Sequence, residues 1–204
     1  MPGYDVPGGE ARAEIEVRGS RFIAIANLAA TPQEANAFLA SVRDEFPDAS
    51  HHVYAFRAGH GNSVTEGMSD DGEPSGTSGP PILSILRGED LGDVIIVVVR
   101  YFGGTKLGTG GLVRAYSEAA RSVLAALSIE RKVEKMRLVI EAHYAHYDAI
   151  TRLFSEAQGE VVSEEFTTEV LIELLLPVEQ REALVTSILE VSAGQAVVIE
   201  ADTR

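Results

Sequence analysis

Six consecutive apolar residues, Val94-Ile95-Ile96-Val97-Val98-Val99, form the most strand-like run in the chain, and glycine-rich stretches bracket it. The first runs Ser69-Asp70-Asp71-Gly72-Glu73-Pro74-Ser75-Gly76-Thr77-Ser78-Gly79-Pro80-Pro81. The second runs from Arg100-Tyr101-Phe102-Gly103-Gly104 through Thr105-Lys106-Leu107-Gly108-Thr109-Gly110-Gly111 to Leu112-Val113-Arg114. Glycine loses more backbone entropy on folding than any other residue. A buried strand flanked by this much of it has a backbone that bends tightly or is approached closely by something. Loops held on a rigid strand are also where function concentrates.

The chain's 204 residues suffice for one large or two small domains with real cores. No apolar run approaches the roughly 18 residues of a membrane helix. Met1 to Glu10 is polar, with no apolar signal core. The absence of cysteine excludes disulfides, thiolate metal sites and cysteine nucleophiles. These features point to a cytoplasmic protein without membrane contact. Net charge is -14, which opposes non-specific binding to a phosphate backbone. Residues 1–131 carry 11 Lys/Arg against 17 Asp/Glu, and residues 132–204 carry 6 against 14. Any contact with nucleic acid therefore falls to a local basic patch in the first part.

Along the chain, 13–17 and 21–27 read as strands joined at Gly19-Ser20. Thr31-Pro32-Gln33-Glu34 carries a capping residue, a first-turn proline and a capping-box glutamate, so a helix starts there and stops by Pro47. A strand follows at 50–58, then a long loop at 59–79, a short helix at 81–87, the apolar strand at 94–101, and a helix from about Gly111 to Leu127. Beyond Arg131 the order is strand, helix, strand, strand, helix, strand, the split ferredoxin-like arrangement. The expected organisation is a flexible segment 1–12, an N-terminal domain 13–130 and a C-terminal domain 131–204.

The block DDGEPSGTSGPPIL followed by VVVRYFGGTKLGTGGLVRAYSEA, with HHVYAFR and SRFIA upstream, resembles the IMPACT/YigZ family of translation-associated proteins. The resemblance is strong over 14–128 and extends to the family's small bacterial C-terminal domain. It implies an α+β protein whose two domains are similar in fold to the fourth and fifth domains of elongation factor G. The N-terminal domain would be a four-stranded β-sheet with two helices packed on one face. Eukaryotic relatives act in translational control through a partner of a starvation-sensing kinase. Two departures matter: Val53 stands where the family often has cysteine, and Pro80 where it often has a basic residue. A two-metal peptidase would need more histidine and carboxylate ligands than this block holds.

Residues Gly103, Gly104, Gly110 and Gly111 link the buried strand to a helix. Free amides at a helix start attract anions, and Lys106, Thr109 and Arg114 add two charges and a hydroxyl. The alternative is a tight connection in which the glycines permit close packing. Asp70, Asp71 and Glu73 have three open readings: pairing with Arg100, Lys106 or Arg114, local turn chemistry, or oxygen ligands to a hard cation such as Mg2+. Ser75, Thr77 and Ser78 add hydroxyls with no evident activating base. His52, Tyr54 and Phe56 share a strand face, either a stacking platform for bases or ordinary packing. His143 and His146 lack a third ligand, and the carboxylates Glu164, Glu165, Glu169 and Glu173 read as a solvated hairpin face.

These features favour a non-enzymatic binding protein without cofactor, contacting the ribosome, RNA or a ribosome-associated protein through the glycine loops. Lys106 and Arg114 would meet the phosphates or acidic groups, with Arg100 supporting the loop. One competing reading is an enzyme or binding protein for a phosphorylated small molecule. The other is a protein-binding module using an exposed sheet face.

Overall fold

The computed structural model describes residues 3–61 and 63–201. The chain divides into two compact units, Tyr4–Lys132 and the residues from Val133 on. The first unit contains β1 (Tyr4–Pro7), β2 (Ala11–Val17), β3 (Ser20–Leu28), α1 (Pro32–Glu45), β4 (His51–Ala58), β5 (Thr65–Ser69), α2 (Gly79–Gly88), β6 (Val94–Tyr101), α3 (Thr109–Ala126) and β7 (Ile129–Lys132). An antiparallel sheet runs β2-β3-β6-β4-β5. Its centre is β6, buried from Val94 through Arg100, so its sequence shows no polar alternation. Ala24, Ala26, Ile96 and Val98 face α2 and α3, packing on Ile82, Leu86, Leu112 and Ala119. Ile23, Ile25, Ile95 and Val97 face the other way, against Ala35, Leu39 and Val42 of α1.

Two helices on one face match the expectation, but the sheet has a fifth strand and α1 covers its other side. Among the described residues, helices thus cover both faces of the sheet's centre. The extra strand, β5, lies inside the segment read as a loop. It is an edge strand paired only with β4, so its sequence TEGMS needs no apolar face.

The segment read as flexible also holds structure. Strand β1 pairs antiparallel with β7, and Tyr4 and Val6 are buried. The buried Asp93 carboxylate ties this ribbon down, accepting from the Tyr4 hydroxyl at 2.7 Å, Lys132 Nζ at 2.6 Å and the Gly59 amide at 2.7 Å.

The second unit contains β8 (Lys135–Ala142), α4 (Tyr147–Glu156), β9 (Glu160–Phe166), β10 (Val170–Pro177), α5 (Arg181–Val191) and β11 (Val197–Ala201). Its antiparallel sheet runs β11-β8-β10-β9, the ferredoxin-like order. Leu138, Ile140, Ile172 and Leu174 pack on Ile150 and Phe154 of α4 and Leu184 and Ile188 of α5. Among the described residues, no helix is long and apolar enough to cross a membrane.

Candidate functional site

The two glycine-rich stretches meet at the end of β6 that carries Arg100. Their junction is a buried ion pair: Arg100 Nη1 donates to Glu73 Oε1 at 2.5 Å, with Arg100 5% and Glu73 8% exposed. The Tyr116 hydroxyl of α3 donates to the same oxygen at 2.7 Å. Burial first, and that carboxylate second, push the Tyr116 hydroxyl far above its ordinary value. The Arg100 guanidinium lies 5.3 Å from the Phe22 ring centroid and 5.6 Å from that of Phe102. It also reaches the buried Ser20 hydroxyl, which accepts from the Gly103 amide at 3.1 Å.

The three acids of the first stretch take three separate roles. Glu73 makes the pairing with Arg100. Asp70 does turn and cap work: its carboxylate accepts from the amides of Gly76, Ser78 and Gly79 and from the Ser78 hydroxyl, at 2.6–3.0 Å. It thereby serves the start of α2, whose own N-cap residue Ser78 makes no side-chain cap. Asp71 turns away from the basic loop, accepting from Arg43 Nη2 at 2.9 Å and the His52 amide at 2.6 Å. The Asp70 and Asp71 carboxylates are thus committed to different partners. Among the described residues, no group of three or more His, Cys, Asp or Glu stands ready for a metal ion.

The cap has a testable consequence. Burial acts to raise the Asp70 carboxyl, but its donors, the Ser78 hydroxyl foremost, outweigh it and hold the group below the ordinary aspartate value. A carboxylate depressed on folding stabilises above its unfolded pKa, and that stability is lost as pH falls through the folded one. Asp70→Ala is expected to lose about 1–2 kcal/mol near neutrality. In urea titrations the gap between wild type and variant should close only below the ordinary aspartate range; a gap that persists in stronger acid would refute the cap.

The second stretch is left open. Gly103, Gly104, Lys106, Gly108, Thr109, Gly110 and Arg114 are exposed, and Gly111 is half-buried. Helix α3 starts at Thr109 rather than Gly111, with Gly108 at its N-cap, no side-chain cap and no acidic residue in its first turn. Arg114 Nε donates to the Gly110 carbonyl at 3.1 Å; among the described residues neither Lys106 nor Arg114 has a carboxylate partner. The acidic stretch thus pairs with Arg100 and, among the described residues, leaves Lys106 and Arg114 without a carboxylate.

Other sequence candidates fall elsewhere. His52 is 9% exposed, with Nε2 donating to the Phe46 carbonyl at 3.0 Å, and Tyr54, half-buried, packs against the core beneath α1. On this face His52 and Phe56 are buried and Tyr54 is half-buried, its ring stacked 6.4 Å from that of Phe56, which is ordinary packing of a strand against a helix. The Thr77 hydroxyl is buried on the Pro74 carbonyl, while Ser75 is exposed. Four participants escaped the sequence reading: Ser20, Tyr116, Phe102 and Arg18. Ser20 reads as a turn residue and Tyr116 as one position in an apolar helical stripe. Arg18 sits in the β2–β3 turn, whose Gly19 touches Gly103, and is exposed without a carboxylate partner among the described residues. Phe102, 50% exposed, walls a cavity of about 330 Å3 with Glu73, Pro74, Arg100, Lys106, Leu107, Gly108, Thr109 and Leu112.

Comparison with known proteins places this geometry. The Impact N-terminal domain matches residues 18–124, and a Domain of unknown function (DUF1949) matches residues 140–195. An IMPACT family member of Haemophilus influenzae is 38% identical over 199 residues, covering 97% of each chain. The IMPACT family member YigZ of Escherichia coli is 36% identical over 178 residues, covering 87% of each. A solved structure described as that of a hypothetical protein is 33% identical, with a TM-score of 0.73 over all of both chains.

Proposed function

The chain belongs to the IMPACT family, and from that premise we propose that it is a translation-associated binding protein whose second glycine stretch meets phosphate groups of RNA on or near the ribosome. One observation carries this reading: Lys106 and Arg114 stand exposed and, among the described residues, without carboxylate partners beside the uncapped start of the 18-residue helix α3. Free amides, the helix dipole and two cations there all favour an anion. The family resemblance supplies the translational context. The net charge of -14 means that attraction comes from this patch and not from the protein as a whole. The acidic second unit repels RNA and suits a protein contact or a spacer.

The test is co-sedimentation of the full chain with ribosomes across a salt series. If Lys106, Arg114 and Arg18 each meet one phosphate, affinity should fall roughly 20–40-fold between about 50 and about 200 mM salt. Lys106→Ala with Arg114→Ala should release the protein and flatten the salt slope. Retention of the double variant at wild-type level, or absence of wild type from the ribosome pellet at low salt, contradicts the proposal.

A further inference from the structure

We propose that the cavity between the two glycine stretches holds the base of one nucleotide, with that nucleotide's phosphate outside at the start of α3. The inference rests on the reading of the basic loop as a phosphate-contact surface and adds what lies behind it. At about 330 Å3, the cavity is at the small end of ligand pockets, room for one ring system.

Its walls have two different ends. Pro74, Phe102, Leu107 and Leu112 supply apolar surface, with the half-exposed Phe102 ring offering a flat face. At the buried end stand Arg100 and Glu73, and both retain unused hydrogen-bonding capacity. Among the described residues, Arg100 Nε is buried with no acceptor, and the hydrogen bonds to the Glu73 carboxylate, from Arg100 and Tyr116, both go to Oε1. Buried polar groups are normally satisfied, so the Arg100 Nε donor calls for an acceptor on a ligand edge, and the second Glu73 oxygen can accept from a donor on that same edge. At the exposed end lie Lys106, Thr109 and the uncapped α3 amides, which suit an anion.

The ligand chemistry follows from this order: a flat ring with a mixed donor–acceptor edge, joined to an anionic group. Nucleotides have that form. A sugar phosphate lacks the flat apolar face, and a fatty acyl chain lacks the polar edge. Base stacking on an aromatic ring is indifferent to base identity, so Phe102 gives affinity without sequence preference. A base can enter only when it is out of a duplex stack, as in a single strand or a free mononucleotide.

The chain contains no tryptophan, so the emission of 2-aminopurine can be followed against a low protein background. Three probes are used with the full chain: a short single-stranded RNA carrying one 2-aminopurine, the same strand annealed to its complement, and 2-aminopurine riboside 5′-monophosphate. A terminal dye on the strands reports binding by anisotropy, independently of the base. With wild type, the single strand should bind and its 2-aminopurine emission should be quenched, while the duplex should show no quenching. Phe102→Ala should abolish the quenching and weaken single-strand binding about tenfold, and Phe102→Tyr should restore both.

Quenching of the monophosphate alone identifies a free nucleotide as the occupant. The pocket then stands while the RNA reading falls. Single-strand binding with unchanged emission, equal quenching by duplex, or no effect of Phe102→Ala overturns the pocket and leaves the phosphate surface intact. No binding by any probe overturns both.

Discussion

Replacing Glu73 with alanine is expected to destabilise the first unit by about 3–5 kcal/mol, the usual cost of stranding one member of a buried ion pair. Arg100 is 5% exposed and lies near the Phe22 and Phe102 rings, so losing the carboxylate leaves its charge in a largely desolvated place. The Tyr116 hydroxyl, fully buried, loses its acceptor in the same step. Native-state hydrogen exchange is the measurement, because the slowest amides of β6 report the global opening of this unit separately from the other. The pair itself need not be stabilising, since well-packed apolar side chains often replace a buried pair at little cost. The triple variant Glu73→Leu, Arg100→Met, Tyr116→Phe should therefore be more stable than Glu73→Ala alone. A loss below about 1 kcal/mol for Glu73→Ala, the range of exposed pairs, would mean that water reaches the site.

That junction shows where the sequence was informative. Val94–Val99 announces a buried strand because nothing polar interrupts it, and α1 announces its start. Thr31 Oγ1 accepts from the Glu34 amide at 3.2 Å, and Glu34 reaches back to the Ala30 amide at 2.8 Å. Both signals are local. The strands that escaped are those whose reason for being strands lies far away or carries no pattern. β1 exists because β7, more than 100 residues on, pairs with it; β5 is an edge with little to bury.

The acidic stretch was legible in kind but not in assignment. Asp70, Asp71 and Glu73 have the same charge and nearly the same reach, so composition cannot rank pairing, capping and metal binding. Backbone direction separates them. Asp71 adopts φ 45 and sends its carboxylate toward α1 and β4, Asp70 points along the α2 start, and Glu73 turns inward to β6. Likewise, Lys106 and Arg114 were visible as cations, but their freedom from carboxylates depends on where those three acids go. Ser20 and Tyr116 gave no signal, because one hydroxyl in a turn and one tyrosine in a helical stripe look alike whether or not they meet a buried charge.

The glycines of the second stretch divide by physical cause, and Gly103 is the one that packing demands. A Cβ there would lie 2.0 Å from the Gly19 carbonyl carbon and oxygen and 2.4 Å from the Ser20 nitrogen, all backbone atoms of the β2–β3 turn. Backbone cannot rotate aside as a side chain does. Gly103→Ala must push the turn and the loop apart, breaking the Gly103 amide bond to Ser20 Oγ and loosening the seat of Arg100. The expected loss is about 3 kcal/mol, the upper part of the overpacking range. Gly110 is the contrasting case: inside α3, its added Cβ would meet only Arg114 Nη2 at 3.8 Å. Gly110→Ala should therefore stabilise the unit, by about 0.5–1 kcal/mol from helix propensity. If that variant nevertheless loses ribosome retention, Gly110 is there to let a ligand approach the α3 amides, while Gly103 is there to let two turns touch. Equal stability of Gly103→Ala and wild type, by the same exchange measurement on β6, would remove the packing explanation for Gly103.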